Sequence, residues 1–174
     1  VTPAEVSVLV VNTCTGYICP GISTYLIEAL DLPRSCHAID LVGMGCGGSV
    51  PNLDTARSLL RDCGGVAVSL AVEICSATYQ MDNDMSLIIS NAILGDGAAA
   101  AVVREQPEGL HMVDSRMYYD PECRDDVRYV HRKGALHNRL SQQLPSIIGE
   151  RVPPEIHALL ENNDLSVEDV ARWA

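Results

Sequence analysis

An α/β fold with parallel βαβ units is predicted from three observations. Short apolar runs of strand length recur along the chain, segments with helical spacing of apolar residues lie between them, and glycine-rich turns mark several of the changeovers. Glu5–Asn12 reads as the first buried strand and ends at a Thr13-Cys14-Thr15-Gly16 turn. Pro20 and Gly21 open a helix through Leu30, with Ile22, Tyr25, Leu26 and Leu30 on its apolar side. Ala38–Val42 is the next strand. The helix Ser49–Arg61 follows it, with Val50, Leu53, Ala56, Leu59 and Leu60 on one face. Gly64 and Gly65 stop that helix before a third strand, Val66–Glu73. Leu87–Leu94 is a short apolar stretch, and Gly97–Val103 is a strand rich in alanine.

The second part of the chain is more polar. Arg104–Gly134 reads as a connector with one strand at Leu110–Met117, an acidic cluster at Glu122–Asp126 and a basic one at His131–Lys133. Leu136–Leu160 reads as helix, interrupted near Pro153-Pro154 because proline has no N–H to give and its ring strikes the preceding turn. Ser166, with Glu168 and Asp169 in the first turn, signals another helix start. Residues 1–104 are expected to form part of one half of a larger fold, and 105–174 a connector with the first elements of another half. The absence of an initiator methionine at Val1 fits a piece of a longer polypeptide.

Bulk composition narrows the function classes. The chain has 174 residues, 47% of them hydrophobic, enough for a real core. Its net charge of −11, from 12 Lys+Arg against 23 Asp+Glu, argues against a nucleic-acid partner. Anionic small molecules stay possible, because a few local cations or a helix N-terminus suffice to bind them. The seven cysteines are odd in number and include no Cys-x-x-Cys, which points to reduced thiols in a cytoplasmic protein, not to a disulfide framework or a metal site. No apolar stretch reaches the roughly 18 residues that a membrane span needs.

Chemistry concentrates at Leu41–Gly48, Leu-Val-Gly-Met-Gly-Cys-Gly-Gly, between a strand and a helix. A cysteine at the first residues of a helix meets the positive end of the helix dipole and unpaired backbone N–H groups, which favour a thiolate. Gly45, Gly47 and Gly48 allow a substrate carbonyl to approach the backbone, where N–H groups hold a developing oxyanion. Cys46 is therefore the candidate nucleophile, against the plain alternative of an inert buried thiol. Two other readings compete. Gly43-Met-Gly45-Cys-Gly47-Gly48 matches the Gly-x-Gly-x-x-Gly of dinucleotide sites, with Glu73 at the end of the next strand as a ribose ligand for NAD. Pro51 and Asn52 disturb the helix start that this reading needs. The Gly-x-nucleophile-x-Gly elbow fails by one residue, because Met44 stands where its first glycine belongs.

Four blocks in order carry a family resemblance: Asn12-Thr-Cys-Thr-Gly-Tyr-Ile-Cys-Pro-Gly21, Gly43-Met-Gly-Cys-Gly-Gly48, Val72-Glu-Ile-Cys-Ser-Ala-Thr78 and Leu94-Gly-Asp-Gly-Ala-Ala-Ala100. Together they resemble the thiolase-fold condensing enzymes, most closely type III polyketide synthases of the chalcone-synthase kind. The resemblance implies a partial thiolase-like fold of α-β-α-β-α layers. It also implies an acyltransferase in which Cys46 is acylated by a starter acyl-CoA and then attacked by the carbanion of decarboxylated malonyl-CoA. No cofactor is implied beyond these CoA thioesters. A fatty-acid-type ketoacyl synthase III is the near neighbour, and a non-catalytic thiolase-like partner subunit the alternative from another class. By position, Cys14 and Thr15 fall on the elongation cavity, Cys75, Ala77 and Thr78 on its far wall, and Cys19 where family members reach into the partner of a homodimer. Leu94 falls on a gatekeeping position that is Phe in plant members, which implies a bulky or long-chain starter here. The family's His and Asn have no counterpart in context: His37, His111, His131, His137 and His157 all lack the expected surroundings. A chain without them is expected not to condense on its own.

Overall fold

The computed structural model describes residues 1–106 and 108–173. They group into two compact units, 1–79 with 93–109 and 80–92 with 110–174. Three chain crossings thus replace the single boundary expected at 104/105.

The first unit is built on a four-stranded sheet. Its strands are β1 (Val6–Thr13), β2 (His37–Val42), β3 (Val66–Glu73) and β4 (Gly97–Val103), in the order β2-β1-β3-β4. Helices α1 (Ile22–Ala29) and α2 (Ser49–Cys63) connect the first three strands, which pair in parallel. The fourth corrects the all-parallel expectation, because β4 runs antiparallel to β3, from Glu73 opposite Gly97 to Ala67 opposite Val103.

Strand β1 decides the core. Val8 and Val10 pack with Ala56 and Leu60 of α2 and with Ala67, while Leu9 and Val11 pack with Leu32 and with Ile22, Leu26 and Ile27 around α1. Strict alternation would place Val6 with Val8, yet Val6 joins the α1 side. A register irregularity between Val6 and Val8 supplies the reason: the extra residue, Ser7, flips the strand's parity. Ser7 is then free to donate its hydroxyl to the carbonyls of Gly64 and of Val66, the latter at 3.2 Å.

Two polar devices set the helices on the sheet. Asp40 of β2 accepts the Ser23 N–H at 3.1 Å, together with the Ser23 hydroxyl, and so satisfies the start of α1. Gly21 is needed for this approach, since a Cβ there would sit 2.3 Å from an Asp40 carboxylate oxygen. At α2, buried Asn52 donates to the Asn12 side chain and to the Leu70 carbonyl, each at 2.8 Å, and accepts from Ser69 at 2.8 Å. Pro51 and Asn52 therefore do not disturb the helix. Proline is tolerated in a first turn, and the asparagine ties that turn to β1 and β3.

The second unit holds α3 (Met85–Ile93) through Ala92, a hairpin of β5 (Val127–Arg132) and β6 (Ala135–Leu140), and α4 (Leu144–Glu161). The apolar stretch expected at Leu87–Leu94 is this helix α3. The hairpin corrects two expectations. Residues 136–140 are strand instead of helix, and the strand expected at Leu110–Met117 is absent. Lys133 and Gly134, both at positive φ (50° and 82°), form a two-residue turn whose twist suits a hairpin. Residues 110–117 have no ladder partner. They are held instead by side chains, Arg116 to Glu155 at 2.5 Å and Asn163 to Asp114 at 2.9 Å. Helix α4 also continues through Pro153 and Pro154, contrary to the interruption expected there. The carbonyls freed by those prolines belong to exposed Gly149 and Glu150, where solvent satisfies them. The helix start expected at Ser166 is a single 3-10 turn, Val167–Asp169, with the Ser166 N–H and hydroxyl donating to Asp169 at 2.8 and 2.7 Å.

Candidate active site

Cys46 opens a 3-10 turn, Cys46–Gly48, that runs directly into α2. The thiol-bearing residue is exposed, so the inert buried reading does not apply to it. Gly45 before it has φ 73° and ψ −176°, a conformation that side-chain-bearing residues almost never adopt. Gly43 also has positive φ, 78°. Cβ atoms at Gly45 and Gly47 would meet nothing within 4 Å, so the backbone on either side of Cys46 is open to a ligand. Gly48 is different. It is buried, and a Cβ there would lie 2.9 Å from the Asn12 amide, so this glycine seats α2 against β1.

Around this turn the fold collects other thiols. Cys14, half-buried just beyond the end of β1, lies near the Gly45 backbone and within electrostatic reach of Cys46. Burial pushes its pKa up to about 11, with the Glu73 carboxylate and then Cys46 adding to the rise. Cys75, in the 3-10 turn Cys75–Thr78 beyond β3, also feels Cys46. Its thiol is pushed up by burial first and then by Glu73 and Asp96. Three elements thus bring Cys14, Cys46 and Cys75 to one end of the sheet.

Glu73 does something other than bind a ribose. Its carboxylate accepts the Cys14 N–H and the Thr15 hydroxyl, each at 2.8 Å, while the Thr15 oxygen accepts the Ile74 N–H at 2.8 Å. This clamp joins the end of β1 to the end of β3 and leaves the carboxylate occupied. Asp96, between the glycines of the other turn, accepts the Ser76 N–H and hydroxyl at 2.7 Å each and holds the Cys75 segment. Both Ser76 bonds keep the Asp96 carboxyl below the ordinary aspartate range.

The remaining sequence candidates lie as follows. Thr78 is half-buried, with its hydroxyl donating to the Cys75 carbonyl at 3.0 Å, and Ala77 is exposed beside it. Leu94 and Cys19 are exposed. Sequence reasoning missed Tyr17. Its hydroxyl lies 3.7 Å from where a Gly43 Cβ would stand, and its pKa is raised by burial, then by Cys14 and Glu73. Tyr17 lies inside the Asn12–Gly21 block, but nothing in that block ties it to the Cys46 turn. Among the described residues no helix is long and apolar enough to cross a membrane, and no cluster of three or more His, Cys, Asp or Glu is arranged for a metal.

A family profile described as FAE1/type III polyketide synthase-like protein matches residues 1–121, more than half of the chain. The chain belongs to the type III polyketide synthase-like family. Among its curated relatives, a 3,5-dihydroxyphenylacetyl-CoA synthase from Streptomyces toyocaensis is 32% identical over 92% of this chain and 44% of its own length. The alpha-pyrone synthesis polyketide synthase-like Pks18 of Mycobacterium tuberculosis is 29% identical over 98% of this chain and 46% of its length. The crystal structure of PKS-I from the brown alga Ectocarpus siliculosus superposes with a TM-score of 0.91 at 27% identity, covering 99% of this chain and 48% of that one. The tetrahydroxynaphthalene synthase of Streptomyces coelicolor shares the fold at a TM-score of 0.89. The type III polyketide synthase-like chain therefore spans about half the length of the relatives it matches, and its fold is the corresponding part of theirs.

Proposed function

We propose that this chain carries the acyl-loading half of a decarboxylative condensing reaction, with Cys46 as the acyl carrier. The observation that supports this most is the exposed cysteine between two unobstructed glycines at the mouth of α2. The Cys46 thiolate attacks the carbonyl of an acyl-CoA thioester, and the CoA thiolate leaves and takes a proton. The Gly48 N–H is taken by the Gly45 carbonyl at 3.0 Å, and the backbone N–H groups of Cys46 and Gly47 beside the thiol are the candidate donors for the oxyanion. Loss of CO2 from malonyl-CoA then gives an enolate that attacks the Cys46-bound acyl group, forming a carbon–carbon bond and freeing the thiolate.

The resemblance assigns proton transfer and a further oxyanion contact to a His and an Asn. Within the first unit the one histidine, His37, begins β2 and is separated from the Cys46 turn by the length of that strand. Condensation in this reading draws those groups from the remaining half of a full-length enzyme, whereas loading needs only the Cys46 turn. Cys14, Thr15, Cys75, Ala77 and Thr78 shape the acyl cavity, and Leu94 in place of an aromatic gate admits a long or bulky starter. A cytoplasmic homodimer is part of the same proposal, with exposed Tyr17, Ile18, Cys19 and Tyr25 meeting a second copy.

The test is intact-mass and peptide spectrometry after incubation with acyl-CoA thioesters of short, long and aromatic acyl groups. One acyl adduct is expected on the Cys46 peptide, absent in Cys46→Ala, with long chains loading best. Adducts on other cysteines alone, or saturable NADH binding that blocks labelling of Cys46, overturn the assignment.

A further inference from the structure

Three thiols meet at one end of the sheet, and the proposed acyl transfer uses only that of Cys46. The chain ties the Cys46 turn to the end of β1 on both sides of the cysteine. Before it, the Gly43 N–H donates to the Thr13 carbonyl at 3.3 Å, continuing the register that sets Thr13 opposite Val42. After it, Gly48 rests on β1, where a Cβ would lie 2.9 Å from the Asn12 amide. Cys46 is thus bracketed by contacts to Asn12 and Thr13, and Cys14 is the next residue along. The Gly45 backbone and the Cys46 thiol both lie within reach of the Cys14 thiol.

Neighbouring strands lie about 4.7–4.9 Å apart, and a disulfide spans Cα atoms about 4.4–6.8 Å apart, so adjacent strand ends match its reach. Cys14 follows β1, the strand next to β2, whereas Cys75 lies beyond β3, one strand further from β2. The Cys75 segment is also pinned, because Ser76 donates its N–H and hydroxyl to Asp96 at 2.7 Å each. Open space beside Gly45 and Gly47 leaves the Cys46 turn room to adjust toward β1.

The two thiols differ as a two-cysteine redox pair requires. Cys46 is exposed and meets an oxidant from solution first. Cys14 is half-buried, and burial, then Glu73 and Cys46, push its pKa up to about 11. It therefore stays protonated, which makes it a poor target for direct oxidation.

We propose that Cys46 and Cys14 close a reversible disulfide in response to a hydroperoxide, with Cys46 as the oxidised thiol and Cys14 as the resolving one. The Cys46 thiolate attacks a peroxide oxygen and the O–O bond breaks. Cys46 becomes a sulfenic acid, and the departing alkoxide or hydroxide takes up a proton. The Cys14 sulfur then attacks the Cys46 sulfur, the S–O bond breaks, and the leaving hydroxide takes the Cys14 proton as water. One peroxide gains two electrons and the thiol pair loses two. A thiol reductant reopens the bond by exchange. The disulfide itself needs no acyl transfer, but its consequence, a loading site closed until reduced, rests on the reading of Cys46 as acyl carrier.

The experiment treats the reduced full chain with a slight excess of hydrogen peroxide, blocks free thiols and maps the peptides by mass spectrometry without reduction. Expected are an intact-mass loss of about 2 Da and one cross-link between the Cys14 and Cys46 peptides. Labelling of Cys46 by iodoacetamide should fall about tenfold or more and return with dithiothreitol. In Cys14→Ser the same treatment should give sulfinic acid on Cys46, a gain of about 32 Da that dithiothreitol does not reverse. Dimedone present during oxidation of the unaltered protein should trap Cys46 and suppress the cross-link, a readout that needs no variant to fold. A cross-link from Cys46 to Cys75, or sulfinic acid on Cys46 of the unaltered protein with no cross-link, overturns the pairing. Acyl adducts on Cys46 without the cross-link overturn this inference and leave the acyl-carrier reading standing, while a cross-link without adducts does the reverse.

Discussion

In the sheet unit, β1 sends Val8 and Val10 to one side and Leu9 and Val11 to the other, each at most 1% exposed. In the hairpin unit only Leu87 and Ser90 are buried among the described residues, and the strands carry arginines and histidines outward. The packing of the sheet unit matches what it has to hold. A thiol next to a glycine in a conformation closed to other residues needs surroundings that over-determine the backbone, and a close-packed sheet with a satisfied asparagine network provides them.

The comparison breaks first at the core. Leu60→Ala is expected to cost about 2–5 kcal/mol in urea unfolding, because α2 and β1 cannot close over the void. The same kind of truncation in the hairpin unit, Ile148→Ala, removes a side chain that is 49% exposed and should change stability by no more than about 0.5 kcal/mol. Comparable losses at both positions would mean that the two units do not differ as described.

Next comes the polar network under the thiol. Asn52→Ala leaves the Leu70 carbonyl and the Ser69 hydroxyl without their partner, at a cost of about 2–4 kcal/mol, and should slow alkylation of Cys46 by loosening the start of α2. A smaller but sharper effect separates two neighbouring glycines. Gly45→Ala forces a side chain into φ 73°, for about 1–3 kcal/mol, while Gly47→Ala, with open space at its Cβ, should stay within about 0.5 kcal/mol. Thermal unfolding of the two variants side by side reads the difference.

The smallest effect is one of pH. With its pKa raised to about 11 by burial and Glu73, Cys14 is about 0.1% thiolate at pH 8, so iodoacetamide should label exposed Cys46 well before it. A folded-state pKa above the unfolded value means that the stabilising contribution is complete below about pH 9 and is lost as pH rises toward 11. The stability of Cys14→Ala should therefore fall less steeply over that interval.

Much of the sheet unit was legible because its strands and turns obey local rules. The limits of β3 and β4 match the apolar runs, and Cys46 stands at its strand–helix turn because glycines bracket it. The hairpin unit was harder to read. Leu136–Leu160 carries apolar residues at spacings that fit either period, and the Lys133-Gly134 turn is a weaker signal than an Asn-Gly pair. The clamp role of Glu73 was hidden for a related reason. A carboxylate at the end of a strand looks the same whether it meets a ribose or the neighbouring loop, and its partners Cys14 and Thr15 lie 59 and 58 residues away.

Sequence alone determined the α/β alternation, the cysteine at a glycine turn and the family, since each rests on spacing within a few residues or on motifs in fixed order. Tertiary structure decided which groups surround that cysteine: the clustering of Cys14 and Cys75, the Glu73 clamp, the placement of Tyr17 over Gly43 and the reversal of β4. Those depend on which strand ends meet, and that is set by burying both faces of β1, a property of the assembled sheet that no single segment encodes.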